Sequence, residues 1–321
     1  MVDYFKEALN GGGLVHAANS EETYATTVAD RRVITPPIYD GSYIGFLLQY
    51  CKEHEIDAII SLFDIDLPVL SKNKKLFEEQ GIALLVSDLK VTEICNDKWL
   101  TYQFLKENSI HTPASFINVN ECVAALRDKE IRYPLIIKPR WGMGSIGIFE
   151  AENDQELKVL YHKTKQAIAG SYLKYESATD LDHAVIIQEK VQGNEYGIDV
   201  LNDLQGDYIC TIPKQKMAMR AGETDIAKVI QHAGLEELGK KLSHLLRHIG
   251  NLDVDCFLVK DKVYVLELNC RCGGQYPFSH LAGANFPKIL VDLISGKMPN
   301  KKDYTVRYNT LGCKELKIRS L

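Results

Sequence analysis

The sequence predicts an α/β domain followed by two α+β modules, and three observations carry that prediction. Up to about Asp88, short apolar runs alternate with helical patterns, the rhythm of a parallel sheet covered by helices on both faces. The tract Tyr133–Glu150, YPLIIKPRWGMGSIGIFE, is a β-branched apolar run that ends in a lysine, passes through glycines and resumes as apolar residues. Further on, two apolar runs turned at Lys260–Lys262 form a hairpin that carries Asp255, Glu267 and Asn269.

Residues 1–90 read as helix Val2–Asn10, strand Leu14–Ala18, helix Tyr43–Glu53, strand Asp57–Leu62, helix Leu67–Gln80 and strand Ala83–Val86. A sheet of this type starts on a central strand, whereas this alternation starts inside a helix. We therefore expect a first strand encoded upstream of Met1, because its loss would leave ladder groups unpaired. Residues 91–130 are a connection opened by one amphipathic helix, Val91–Asn108, which must stop before Pro113. Residues 131–190 form a small module: a strand through Lys138, the glycine loop, a strand at Ile146–Glu150, a helix at Asp154–Ile168 and the strand Ala184–Glu189. Residues 191–321 hold the hairpin Glu195–Asn202 with Tyr208–Met217 and the helix Leu235–His248. The hairpin Leu252–Val259 with Val263–Leu268 follows, then helical segments to about Gly296.

A chain of 321 residues, 45% hydrophobic and 25% charged, has room for two or three cores. Its net charge of -5 leaves no electrostatic footprint for nucleic acid or an anionic membrane, so any polyanion bound is small and held by a local basic pocket. The eight cysteines are scattered, and the closest pair, Cys270 and Cys272, has no matching second pair; reduced thiols fit better than zinc. No stretch approaches the ~20 apolar residues of a membrane span, and the start MVDYFKEALN lacks a signal-peptide pattern. The expected location is the cytoplasm.

Gly142, Gly144 and Gly147 satisfy G-x-G-x-x-G, but a dinucleotide fold needs a helix directly after the loop, and here a strand follows. The loop therefore joins two antiparallel strands as a flap, with glycines that let backbone amides approach phosphate oxygens. A protein kinase also has a glycine flap, yet its lysine follows the flap and its catalytic loop reads H-R-D. Here Lys138 precedes the flap and no H-R-D occurs. Taken alone, the loop could equally be a glycine-rich hairpin with no ligand.

The terminal hairpin decides for a ligand. Glu267 and Asn269 are two apart on one strand and project from the same face, and Asp255 on the partner strand adds a second carboxylate. Such hard oxygens suit Mg²⁺ when substrate phosphates complete its shell. Arg271 continues that face.

Lys138, the glycine flap, Gln188-Glu189-Lys190-Val191 and Glu267-Leu268-Asn269-Cys270-Arg271 together resemble the ATP-grasp superfamily, in the branch of the carbamoyl phosphate synthase large chain. The likeness spans nearly all of residues 1–300. It implies an ATP-grasp fold: a Rossmann-like N-terminal sheet lacking its first strand, and two α+β modules that clamp ATP. It also implies that Lys98 and Lys138 contact ATP phosphates under a flap formed by Gly142, Met143, Gly144, Ser145 and Gly147. By the same likeness Glu189, Lys190 and Val191 form the hinge that reads the adenine, and Glu195 reaches the ribose. Asp255, Glu267 and Asn269 become metal ligands, and Arg271 holds the transferring phosphate or the acceptor. The basic segment Pro213–Glu223 supplies Lys216 and Arg220 as contacts to triphosphate and acceptor, and Gly273, Gly274 and Tyr276 border the acceptor pocket.

The implied activity is ATP-dependent ligation of a small-molecule carboxylate to an amine through an acyl phosphate, with two Mg²⁺ ions that Mn²⁺ could replace. Formation of carboxyphosphate or carbamoyl phosphate is one alternative, although the synthase has two ATP-grasp copies and this chain one set of motifs. A non-catalytic ATP-binding scaffold is another. Relatives suggest a homodimer. Arg140 and Trp141 depart from the residues of many relatives, which leaves flap motion and nucleotide contact open.

Overall fold

In the computed structural model, which describes residues 1–318, the predicted alternation opens the chain; residues 319–321 of the 191–321 module lie outside the described residues. The order is α1 (Val2–Leu9), β1 (His16–Asn19), α2 (Tyr24–Val28), β2 (Arg31–Ile34), α3 (Tyr43–Glu53), β3 (Ala58–Ile59), α4 (Asp66–Lys72), α5 (Lys74–Glu78) and β4 (Ala83–Leu84). Strands pair in parallel, as two separate pairs, β1 with β2 and β3 with β4. The sequence reading missed α2 and β2. A reciprocal cap between Thr23 and Thr26 starts α2, which a search for the usual acidic partner overlooks. The single helix expected at Leu67–Gln80 is broken at Asn73, whose side-chain amide donates to the Val69 carbonyl at 2.8 Å.

The helix predicted at Val91–Asn108 is likewise two, α6 (Leu89–Asn96) and α7 (Lys98–Glu107). The break falls at Asp97, whose backbone is extended and whose carboxylate accepts from the amides of Trp99 and Leu100. Apolar periodicity runs through this break, so it could not reveal it.

The central module contains β5 (Ser115–Phe116), α8 (Val119–Arg127), β6 (Leu135–Pro139), β7 (Phe149–Ala151), α9 (Asp154–Ala169), α10 (Leu173–Ser177) and β8 (Val185–Glu189). Its four strands are antiparallel in the order β5-β8-β6-β7. The flap joins β6 and β7 as expected, with Leu135 opposite Ala151, but the second strand begins at Phe149 rather than Ile146. Gly147 gives its carbonyl to the Thr164 hydroxyl of α9 at 3.1 Å instead of to the ladder. Leu157 and Ile168 of α9 cover Leu135, Ile137 and Ile187; burial of each such side chain contributes about 1.5–3 kcal/mol.

The C-terminal module comprises β9 (Asn194–Asn202), β10 (Tyr208–Arg220), β11 (Glu223–Val229), α11 (Ala233–Leu246), β12 (Gly250–Val259), β13 (Lys262–Asn269), α12 (Tyr276–Ala282), α13 (Phe286–Ile294) and β14 (Leu311–Cys313). Six antiparallel strands run in the order β13-β12-β9-β10-β11-β14. The basic segment Pro213–Glu223 is the second half of β10 turning into β11. The predicted strand Tyr208–Met217 runs on to Arg220, and β11 was missed; Lys216 serves the site, while Lys214, two residues away on the same face, enters a buried ion pair. That pair is Lys214 with Asp199, both fully buried and both bonded to the Ser279 hydroxyl.

One apolar cluster joins Leu67, Leu70, Phe77 and Val86 of the N-terminal part to Val200, Leu252, Val254 and Leu268 of the large sheet. This shared core seats the N-terminal part against the end of β12 and β13. All eight cysteines are free thiols, and only Cys313 is exposed. Among the described residues no helix is long and apolar enough to cross a membrane.

Candidate active site

The register of β12 against β13 places Asp255 opposite Glu267 and Asp253 opposite Asn269, so the oxygen donors occupy neighbouring rungs. Lysines from three other elements face them. From β6, Lys138 Nζ donates to Glu267 Oε1 at 3.0 Å, and Lys98 Nζ, at the start of α7, lies 3.9 Å from the same oxygen. From β10, Lys216 Nζ lies 2.6 Å from Asp255 Oδ1 and 2.7 Å from Glu195 Oε1.

The charges tune one another. Burial pushes the Glu267 carboxyl up, but Lys138 and then Lys98 outweigh it and hold it at about 2. Burial pulls Lys216 down, and Asp255 and Glu195 more than reverse this. Lys98 is lowered by burial, with Glu267 opposing only in part. The site is therefore anionic at Glu267 near neutral pH, with cations already gathered around it.

Lys98, Lys138, Gly142, Met143, Gly144, Ser145, Lys216, Asp255, Glu267, Asn269 and Arg271, all singled out from the sequence, line one cavity between flap and hairpin. Among the lining residues not singled out from the sequence are Asp253, Gly222, Thr224 and Gln275. Asp253 shares a strand face with Asp255, two residues away, and that spacing could have found it. Nothing local points to Gln275, which donates to Asp253 and, at 3.3 Å, to Asp255.

Arg271 is clamped from two parts of the fold. Its Nε and Nη2 donate to Asp64 Oδ2 at 3.0 and 2.7 Å, and its Nη1 to Asp253 Oδ2 at 3.2 Å. Burial would lower its basicity, but Asp64 and Asp253 raise it further. Asp64 stands between β3 and α4, so the N-terminal part reaches the site through this residue. Burial and the Asp255 charge push the Asp253 carboxyl up to about 7, against the pull of Arg271. The step Gly273-Gly274 packs on carboxylates: a Cβ at Gly273 would stand 1.9 Å from Asp253 Oδ2, and one at Gly274 2.3 Å from Glu223 Oε2.

The remaining sequence candidates lie outside the lining. Gly147, at φ +68°, packs against Ala167 behind the flap. Glu189, Lys190 and Val191 sit at and just beyond the end of β8, where Lys190 pairs with Glu150 at 2.7 Å. Glu195 turns to Lys216, Arg220 pairs with Asp225 on the outer strands, and Tyr276 is fully buried beneath the sheet. The flap tip meets the β10–β11 turn: a Cβ at Gly222 would stand 2.0 Å from Ser145 Oγ.

Among the described residues no group of three or more His, Cys, Asp or Glu side chains is gathered as a metal centre. The donor set is two carboxylates and an amide oxygen, which fits Mg²⁺ sharing its shell with phosphate oxygens better than a metal held by protein alone.

This fold and cavity define a class. Residues 95–275 match the ATP-grasp domain family, and residues 1–85 match the PylC-like N-terminal domain. The chain belongs to the ATP-grasp family, as its sequence motifs indicated. It is 26% identical over 264 residues to the carbamoyl phosphate synthase large chain of Pseudothermotoga lettingae, an overlap of 78% of this chain and 22% of that protein. The chain thus spans about a fifth of that relative's length. Among solved structures it resembles the biotin carboxylase domain dimer of the Hydrogenobacter thermophilus 2-oxoglutarate carboxylase, crystallised with MgADP, ADP and bicarbonate. There the TM-score is 0.75 at 18% identity, over 97% of this chain and 70% of that one. The L-amino acid ligase from Bacillus licheniformis gives a TM-score of 0.70 at 21% identity, over 92% of this chain and 72% of that one. At these identities the likeness establishes the fold.

Proposed function

We propose that the protein is an ATP-dependent ligase that joins a small-molecule carboxylate to an amine through an acyl phosphate. The observation that carries this reading is the Lys138–Glu267 contact at 3.0 Å, which brings the flap and the oxygen-donor hairpin to one cavity. Lys98 and Lys138 would neutralise the triphosphate while flap amides take phosphate oxygens. Asp255, Glu267 and Asn269 would hold Mg²⁺, as two ions that Mn²⁺ could replace, and the metal would supply charge neutralisation at the phosphates. The MgADP in the 2-oxoglutarate carboxylase domain supports that assignment.

In the first step a carboxylate oxygen attacks the γ-phosphorus in line, the bond to the β–γ bridging oxygen breaks, and ADP leaves. In the second the amine nitrogen attacks the acyl carbon, phosphate departs and the nitrogen loses a proton. Arg271, fixed by Asp64 and Asp253, is placed to stabilise charge on the moving phosphoryl group. A closed flap would keep water from the acyl phosphate. Glu189, Lys190 and Val191 remain our candidates for the adenine hinge and Glu195 for the ribose, with Lys216 and Arg220 serving the acceptor side. The free thiols support a cytoplasmic location, and the dimer of the 2-oxoglutarate carboxylase domain supports a homodimer.

The test is ADP formation from MgATP against panels of carboxylates and amines. Dependence on both substrates supports the ligase. Dependence on bicarbonate alone supports carboxyphosphate formation, the reading that the carbamoyl phosphate synthase relative favours. Nucleotide binding with no stimulated turnover makes the protein a scaffold.

A further inference from the structure

We infer that Arg140 is a positioning residue for the nucleotide phosphates: gripped by Asp97, it fixes the start of α7, and with it Lys98 and the root of the flap. The inference rests on the reading above, in which Lys98 meets the phosphates.

Arg140 follows the last residue of β6, two positions after Lys138, and both it and Asp97 are nine-tenths buried. Its Nε donates to Asp97 Oδ1 at 2.8 Å and its Nη2 to Asp97 Oδ2 at 2.7 Å, a two-pronged pairing that fixes orientation as well as distance. The third nitrogen, Nη1, donates to Asp180 Oδ2 at 3.1 Å, and the guanidinium carbon lies 4.2 Å from the Trp141 ring centre. The backbone repeats the connection, since the Lys98 amide donates to the Arg140 carbonyl at 3.2 Å and Asp97 bridges Trp141.

The same Asp97 carboxylate caps α7 through the amides of Trp99 and Leu100, so Arg140 holds the group that decides where the helix begins. Lys98 is the first residue of that helix. Its Nζ donates to the Gly142 carbonyl at 2.6 Å, and Gly142, at φ +135°, is backed by Leu173. A Cβ at Gly144, by contrast, would meet nothing within 4 Å. The root of the flap is thus tied on three sides while Gly144 stands clear, and the tie runs through Arg140.

A buried ion pair could instead serve stability alone. Loss of stability weakens every ligand alike, whereas a displaced Lys98 weakens only ligands that carry phosphates. We therefore test Arg140→Lys, which keeps the charge and loses the fork, by calorimetric titration of the full chain with MgADP and with adenosine. The expected result is about tenfold weaker MgADP binding with adenosine affinity changed less than about twofold. In a Lys98→Met background the same substitution should cost no further MgADP affinity, the non-additivity of residues acting through one another. Asp97→Asn keeps an oxygen to cap α7 and should show a smaller loss of the same ligand selectivity; it carries the test if Arg140→Lys does not fold.

Equal weakening of both ligands overturns the inference, as do additive losses in the double variant or unchanged MgADP affinity in both single variants. A wild-type chain that binds neither ligand overturns the ligase reading itself, and the inference with it.

Discussion

Lys138 Nζ and Glu267 Oε1 lie 3.0 Å apart although 129 residues separate them in the chain. The contact links the central module to the end of β13, and with Lys98 it holds the Glu267 carboxyl at about 2 against the effect of burial. Replacing Glu267 by Gln removes a charge that faces two lysines. ADP formation should fall by about a hundredfold or more, the scale of losing one transition-state electrostatic partner. Circular dichroism should show the fold retained; near-normal turnover with Mg²⁺ would remove Glu267 from its role.

Gly142 combines φ +135° with a Leu173 methyl that an added Cβ would approach to 2.8 Å. Gly142→Ala should destabilise the chain by about 1–3 kcal/mol and weaken MgADP binding. Gly144→Ala, with φ +67° but open space, should cost only about 1–2 kcal/mol. Urea titration of both variants gives the comparison, and equal losses would contradict it.

His248 is fully buried, with Nε2 3.1 Å from the Val200 carbonyl, and burial holds it at about 4. Its folded pKa lies below the ordinary value, so the stability it confers is present above about pH 6.5 and is lost as pH falls toward 4. Between pH 8 and pH 5 this group alone should take away about 2 kcal/mol. Urea midpoints across that range, in wild type and in His248→Gln, should converge at the acid end; parallel curves would reject the assignment.

Lys214 and Asp199 form a fully buried ion pair beneath the large sheet. Lys214→Met should cost about 3–5 kcal/mol because it strands a carboxylate. Adding Asp199→Asn should recover part of that loss, measured as the free energy of unfolding of the three variants. A double variant no more stable than the single would show that the carboxylate is not the source of the loss.

Those elements whose signal is local were legible in the sequence: the flap between two antiparallel strands, the hairpin with its oxygen donors, and the α/β alternation of the first part. The reading failed where distant residues decide local structure. Asp97 breaks a continuous helical pattern because Arg140, 43 residues on, demands its carboxylate. Strand β10 reads as stopping at Met217, and the ion pairs of Lys214 and Lys216 with anions on β9 and β12 could not be seen from its sequence; nor did Asp64 give any sign of Arg271, 207 residues away. Charged side chains look solvated until their partners are known.

Ser145 of the flap approaches Gly222 of the β10–β11 turn. Two turns from different modules touch above the cavity like the leaves of a double door. On the proposed ligase reading, a nucleotide that enters between them would part these turns, and ADP leaving would part them again. The slow step of turnover would then belong to the threshold rather than to the chemistry within.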